Sequence, residues 1–367
     1  MAKQVADTYL ITGGLGFIAS NFILDLCSKE SPVIVNIDLM TYAASRSNLK
    51  GLKNHGYHLK IIDIGNEYHV AKILKQYKPN IIVNFASESH VDNSIDGPEA
   101  FLKHNVVSHF NFIKACSDYF QKLSDQDKAR FKFLHVNTDE VYGSLKKDEP
   151  PFHEGMKFQT NSIYSATKAC QSHFLRAFHE TWKFPYMETH CSNNYGPRQH
   201  KEKLIPKTII NAWMDRPIPV YGTGTNVRDW IHVSDHCSAL SHILKNGKNG
   251  HSYNIGAENE ISNIEIVNMI CEIVDRHKGV EPSSKKSSKN LIKFVEDRKG
   301  HDFRYAIDNR KIYSEIKWIP LKKFHSGLEE TVSWYLKNVV PTEMQVPVKF
   351  PQEEEIHEDT IEEGEEE

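Results

Sequence analysis

Residues 8–12 (Thr-Tyr-Leu-Ile-Thr) run directly into Gly13-Gly14-Leu15-Gly16-Phe17-Ile18-Ala19, and an amphipathic stretch follows to about Cys27. A short apolar run, a glycine turn and a helical period in that order define a strand–turn–helix unit. The glycines permit a tight turn and let the helix N-terminus approach a pyrophosphate, whose charge the free N–H groups and the dipole favour. A tight turn alone would explain the glycines. The next apolar run, Val33-Ile34-Val35-Asn36-Ile37, ends in Asp38. An acid about 20 residues beyond the glycines is placed for the ribose diol of NAD and would repel the 2′-phosphate of NADP.

The same alternation continues. Residues 58–62 read as a strand leading to Asp63 and Ile64, a helix follows to about Tyr77, and 80–85 has the apolar run of a buried strand. A long helix covers about 98–121, residues 131–134 alternate as a strand, and a helix runs from Tyr164 to about Thr181. This cadence predicts an α/β fold: a Rossmann-type doubly wound parallel sheet with a smaller C-terminal substrate-binding lobe. Residues 1–191 mainly form the cofactor domain and 192–340 mainly the substrate lobe, with the chain free to cross between them. The segment 282–289 (Pro-Ser-Ser-Lys-Lys-Ser-Ser-Lys) reads as a flexible basic loop, and 341–367 as a disordered acidic tail.

The formal net charge of −3 hides an asymmetry: residues 353–367 hold ten acids and no Lys or Arg, leaving about +7 on the body. That suits an anionic small ligand and falls short of a nucleic-acid-binding stripe. No apolar run is long enough to span a membrane. Six scattered cysteines without a Cys-x-x-Cys pair indicate reduced thiols in a cytoplasmic setting, and no metal-ligand spacing appears among the twenty histidines.

The chemistry concentrates at Thr138-Asp139-Glu140, at the end of the 131–134 strand run, and at Tyr164 with Lys168. Ligands of open α/β sheets bind at carboxyl ends of strands. Tyr164 and Lys168 are four apart and share a helix face. A nearby ammonium favours the phenolate, so the tyrosine pKa is expected to fall toward neutrality and make it a base. Beside a dinucleotide fold, that base can remove a hydroxyl proton as hydride leaves the same carbon for NAD, with Thr138 holding the hydroxyl.

Taken in order, Thr12–Ile18, Ser87-Glu88-Ser89-His90-Val91-Asp92, Thr138-Asp139-Glu140-Val141-Tyr142-Gly143, Tyr164-Ser165-Ala166-Thr167-Lys168, Ser192-Asn193-Asn194-Tyr195-Gly196-Pro197 and Lys203-Leu204-Ile205-Pro206 resemble the nucleotide-sugar 4,6-dehydratases. These belong to the extended short-chain dehydrogenase/reductase superfamily, and the likeness is greatest to the dTDP-glucose 4,6-dehydratases. The resemblance implies that Tyr164 takes the carbon-4 hydroxyl proton, Glu140 the carbon-5 proton, and that protonated Asp139 donates to the departing carbon-6 hydroxyl. It implies cofactor contacts from Gly13, Gly16, Phe17, Ile18, Asp38, Asp63, Ile64, Ala86, Tyr164 and Lys168. Glu88 and Ser89 match sugar-pocket positions. Asn193, Lys203, Leu204, Pro219, Tyr221, Arg228, Asn263, Arg298 and His301 match positions that hold the nucleotide diphosphate, with the two arginines as charge-assisted clamps. It also implies a homodimer through helices near 98–121 and 163–181.

The chain departs from the pattern at Ala19, Ile163, His190, Arg198, His200, Lys201 and His232. Several of these are expected to border the sugar, which leaves open dTDP or UDP and glucose or N-acetylglucosamine, the latter with epimerisation at carbon 5. A 4-epimerase is disfavoured by the acid pair, and a non-catalytic NAD-binding scaffold by the presence of both Tyr164 and Lys168.

Overall fold

The computed structural model describes residues 7–281 and 283–344. Seven strands form one parallel sheet: β1 (Thr8–Thr12), β2 (Val33–Asp38), β3 (Tyr57–Ile61), β4 (Ile81–Asn84), β5 (Lys132–Thr138), β6 (Met187–Cys191) and, after three intervening strands, β10 (His251–Ile255). The intervening strands are β7 (Asn193–Tyr195), β8 (Ile218–Tyr221) and β9 (Val227–His232). The order β10-β6-β5-β4-β1-β2-β3 reverses direction between β1 and β4, the switch point where such sheets open a crevice. β1, β2 and β4 read as near-continuous apolar runs because helices cover both faces of the sheet there.

Two smaller sheets complete the second lobe. β9 lies between β7 and β11 (Glu260–Ser262), and β8 pairs with β12 (Ile292–Val295). A separate apolar core, including Trp230, Ile266, Ile270 and Leu328, holds this lobe together. The chain crosses back: β10 pairs with β6 in the main sheet, and the helix Val233–Asn246 packs in the same core as Phe22, Ile23 and Leu26 of the first helix.

Several local expectations change. The 98–121 helix is three pieces, Pro98–Phe101, a π-helical turn Leu102–Ser108 and His109–Gln121. The wider turn carries the buried Asn105, whose amide bonds Glu88 N–H and C=O and Thr167 Oγ1 and so ties this helix to the loop after β4. The far end of the basic loop is anchored at Ser287 and Ser288: the buried Asp275 carboxylate accepts from Ser287 Oγ at 2.8 Å and Ser288 N at 3.0 Å. The tail does not begin at 341, because Val340–Glu343 is a helical turn and Glu343 pairs with Lys201 at 2.9 Å. The rest of the acidic tail, 345–367, lies outside the described residues. Among the described residues, no helix is long and apolar enough to cross a membrane.

Gly14 is fixed by packing. A Cβ there would land on the Asn36 amide, which accepts Gly14 N–H at 3.0 Å and donates to Tyr57 Oη at 2.8 Å. Gly14→Ala is therefore expected to cost about 1–3 kcal/mol, read as a lower midpoint in urea unfolding with an unchanged slope.

Candidate active site

Two adjoining cavities open at the carboxyl ends of β1, β2, β4 and β5. The first runs from the glycine turn to Tyr164 and Lys168, and all the expected cofactor residues line it: Gly13, Gly16, Phe17, Ile18, Asp38, Asp63, Ile64 and Ala86 with Tyr164 and Lys168. Gly13 needs its glycine, with φ +66° and a would-be Cβ only 3.0 Å from Ala86 Cα. The helix Phe17–Lys29 starts with no side-chain cap and no acid in its first turn, so its N–H groups are left for an anion. Asp38 braces this mouth by accepting Leu15 N–H at 2.9 Å and Met40 N–H at 2.7 Å. Its burial pushes the pKa up, and the two backbone bonds oppose that. Asp63 accepts Gly65 N–H at 2.7 Å. A glycine cradle, an uncapped helix start and an acid at the end of β2 fit a dinucleotide.

Of the expected substrate residues, Ser89, Asn193, Lys203, Leu204, Pro219, Tyr221, Arg228, Asn263, Arg298 and His301 line the second cavity, and Glu140 joins them from the acid triplet. Glu88 instead lines the first cavity, at its border with the second. Arg228 is buried with its guanidinium 4.3 Å from the Tyr305 ring centre and donates to the carbonyls of Val227, Phe303 and Asp302. Arg298 ion-pairs Asp92 at 2.5 Å, and Tyr221 donates to the same carboxylate at 3.2 Å. Lys203 donates to Ser89 C=O at 3.0 Å.

The acid triplet sits between the cavities. β5 ends at Thr138, whose hydroxyl caps a 3-10 turn, Asp139–Tyr142, by accepting Glu140 N–H at 3.3 Å. Thr138 and Asp139 line neither cavity; Asp139 is 2% exposed and its Oδ1 accepts from Thr138 Oγ1 at 3.4 Å. Burial drives the Asp139 pKa well up, helped by Glu140 and Asp229 and opposed by Arg228. Burial also raises Glu140, but Arg228, Lys203 and Arg298 all pull it back. Both carboxyls are raised, with more cations around Glu140 and more anions around Asp139, which sets the two apart.

The tyrosine differs from expectation. Tyr164 is pushed up, not down: burial dominates, Glu140 adds to it, and only the hydrogen bond to Thr138 pulls the other way. Lys168 offsets this only in part, because burial lowers its own pKa to about 7 against the opposing pull of Glu188. Charge stabilisation from a nearby cation requires a cation, and a buried lysine tends to shed its proton.

The departures from the pattern fall mostly outside the second cavity. Ala19, Ile163, His190, Arg198, Lys201 and His232 do not line the second cavity, and His200 lines the first. Arg198, at φ +74°, donates to Asn48 C=O and Asn21 Oδ1 between the lobes, while His232 caps the helix Val233–Asn246 through Ser234 N–H. The structure also brings in residues that the sequence reading left out. Asp92 bridges to Arg298 and Tyr221, Asp229 holds the backbone at 257–259 by accepting Ala257 and Asn259 N–H, and Glu202, which lines the first cavity, accepts from Tyr42 at 3.1 Å. Asp92 ends the Ser87–Asp92 motif; the other contacts join segments too distant in sequence to leave a local signal.

Residues 10–331 match the family model described as GDP-mannose 4,6 dehydratase. The chain is 45% identical over 332 residues to a dTDP-glucose 4,6-dehydratase of Xanthomonas campestris pv. campestris (strain B100), covering 90% of this chain and 93% of that one. It is 40% identical to a dTDP-glucose 4,6-dehydratase of Neisseria gonorrhoeae, covering 92% and 98%. Among solved structures it resembles DesIV, a dTDP-glucose 4,6-dehydratase from Streptomyces venezuelae with NAD and TYD bound, at TM-score 0.81 and 35% identity over 90% of this chain and 97% of that one. The UDP-glucose 4-epimerase of Thermus thermophilus, at 21% identity and TM-score 0.78, shares the fold.

Proposed function

The chain belongs to the GDP-mannose 4,6 dehydratase family, and on that basis we propose dTDP-glucose as its substrate and the residues below as its catalytic set. It is an enzyme of NAD-dependent nucleotide-sugar 4,6-dehydration. The observation that carries the assignment of roles is the adjacent buried pair Asp139 and Glu140 beside Tyr164, with more anions around the first and more cations around the second.

NAD, held along the glycine turn, Asp38, Asp63 and Lys168, supplies the hydride acceptor and donor when bound. Tyr164 removes the proton from the carbon-4 hydroxyl, which Thr138 positions. The ketone formed at carbon 4 acidifies the carbon-5 proton, and Glu140 removes it. Asp139, kept protonated by burial and by its anionic neighbours, gives its proton to the carbon-6 hydroxyl, which leaves as water. Glu140 then returns a proton to carbon 5. Each turn therefore leaves Tyr164 one proton richer and Asp139 one poorer. Thr138 Oγ, bonded to both side chains, lies on the shortest route for resetting them.

Arg228 and Arg298 are proposed to clamp the diphosphate, with Lys203 and His301 adding positive charge, and Asp92 holds Arg298 until the anion arrives. A homodimer is proposed through the faces that carry the exposed apolar residues Leu102, Val107, Phe110 and Ile163.

The test is direct. Purified protein is incubated separately with dTDP-glucose, UDP-glucose and UDP-N-acetylglucosamine, and the products are followed by NMR. A 4-keto-6-deoxy product from dTDP-glucose with carbon-5 configuration retained is expected. Turnover of a UDP sugar alone, or an inverted carbon 5, would overturn the substrate assignment.

A further inference from the structure

β6 is a central strand of the parallel sheet, buried along its whole length, yet it carries Glu188 and His190. Such strands ordinarily bury apolar side chains, because an unpaired carboxylate loses several kcal/mol of hydration. Residue alternation and the register His135↔Glu188 and Asn137↔His190 put these four side chains on one face of the sheet, under the helix Ile163–Trp182.

Glu188 is 4% exposed and accepts from Ser172 Oγ at 2.6 Å and Asn137 Nδ2 at 2.9 Å. Asn137 Nδ2 also reaches Lys168 C=O at 3.1 Å, while Asn137 Oδ1 accepts Thr138 N–H at 2.9 Å. One amide thus joins the carboxylate to the backbone of Lys168 and of Thr138. The Lys168 ammonium, 3% exposed, donates to Val136 C=O at 3.2 Å.

The other titratable groups of this layer are His135 on β5, His109 on the helix His109–Gln121, His190 on β6 and Tyr142 after the acid triplet. Burial drives all three imidazoles toward neutrality and the phenol toward its neutral form. His190 Nε2 lies 3.8 Å from Glu188 Oε1, and its Nδ1 meets Tyr142 Oη at 3.2 Å. Arg176 is solvent-exposed, and Lys311 donates to Ser252 C=O. Among the described residues, the cation buried within this layer is therefore Lys168.

We propose that Glu188 is a positioning residue for the Tyr164–Lys168 pair: the buried counter-anion that keeps Lys168 charged and, through Asn137 and Ser172, fixes the helix turn that presents it. This rests on the reading of Tyr164 as the base. Burial alone pulls Lys168 down, and Glu188 is the group that opposes it. An uncharged Lys168 would leave the phenolate without its cation.

Glu188→Gln tests this because Gln has the same shape and its amide oxygen can still accept from Ser172 and Asn137. In the NAD-loaded enzyme the alkaline limb of kcat/KM is expected to move to lower pH by about one unit, a roughly tenfold loss above that limb with little loss below it. The loss should appear in kcat rather than KM, with thermal unfolding unchanged. His190→Asn should leave the limb in place; a matching shift would assign Glu188 to His190 and overturn the proposal. NMR of lysine labelled with 13C at Cε, with Lys168 assigned by its loss in Lys168→Met, reads the same quantity without turnover. Its midpoint should fall by about one unit in Glu188→Gln, and an unmoved midpoint overturns the inference. If none of the nucleotide sugars is turned over, the functional reading fails while the NMR midpoint still decides the role of Glu188.

Discussion

Glu140→Gln is expected to reduce formation of the 4-keto-6-deoxy product by about 10²–10⁴-fold, the usual worth of a positioned general base. The amide keeps the side chain's size beside Arg228 and Lys203 but cannot accept the carbon-5 proton. Bound NAD, released by denaturation and measured by chromatography, should be retained, because the residue lines the substrate cavity and not the cofactor cavity. In deuterium oxide the variant should fail to exchange carbon-5 hydrogen. The pH dependence carries the same signature. Glu140 has a raised pKa, so base function is present above it and is lost as the pH falls through it. The acid limb of the unmodified enzyme should therefore lie above the range of an ordinary glutamate. Product formation at the unmodified rate in Glu140→Gln would remove it from the mechanism.

Why the triplet, the glycine turn and the Tyr–Lys pair are legible in the sequence is a matter of distance along the chain. Each is a local device: Gly13 needs a positive φ, Thr138 caps the turn that carries Glu140, and four-residue helical spacing aligns Tyr164 with Lys168. The cadence of apolar runs likewise fixes the parallel sheet, since each strand is covered on both faces. What escapes is energetic or long-range. Tyr164 and Lys168 share a helix face as expected, but their charges are decided by burial under strands β5 and β6, which helical spacing does not report. Asp92 meets Arg298 across more than two hundred residues. Ser287 and Ser288 lie in a stretch of loop composition and are nonetheless pinned by one buried carboxylate, Asp275. His190 and His232 depart from the expected pattern, but only the fold places them against Tyr142 and on a helix cap.

Tyr164→Phe separates the first proton transfer from the second. The ring is 8% exposed and meets Phe101 edge-on at 6.4 Å between centroids, so phenylalanine should keep the packing and the fold. Without the phenol oxygen nothing accepts the carbon-4 hydroxyl proton, and turnover of the hexose is expected to fall by about 10²–10⁴-fold. The ketone product is a different case. Its carbonyl already acidifies the carbon-5 hydrogen, so Glu140 in Tyr164→Phe should still exchange that hydrogen for deuterium when the 4-keto-6-deoxy product is supplied, while Glu140→Gln should not. Loss of exchange in both variants would mean that Tyr164 also acts on the ketone, through the Thr138 hydroxyl that links it to Asp139. Retained exchange in both would move the carbon-5 base away from the triplet. Because the two variants differ only in which proton they can accept, the pair of exchange rates assigns the oxidation step and the elimination step to separate side chains.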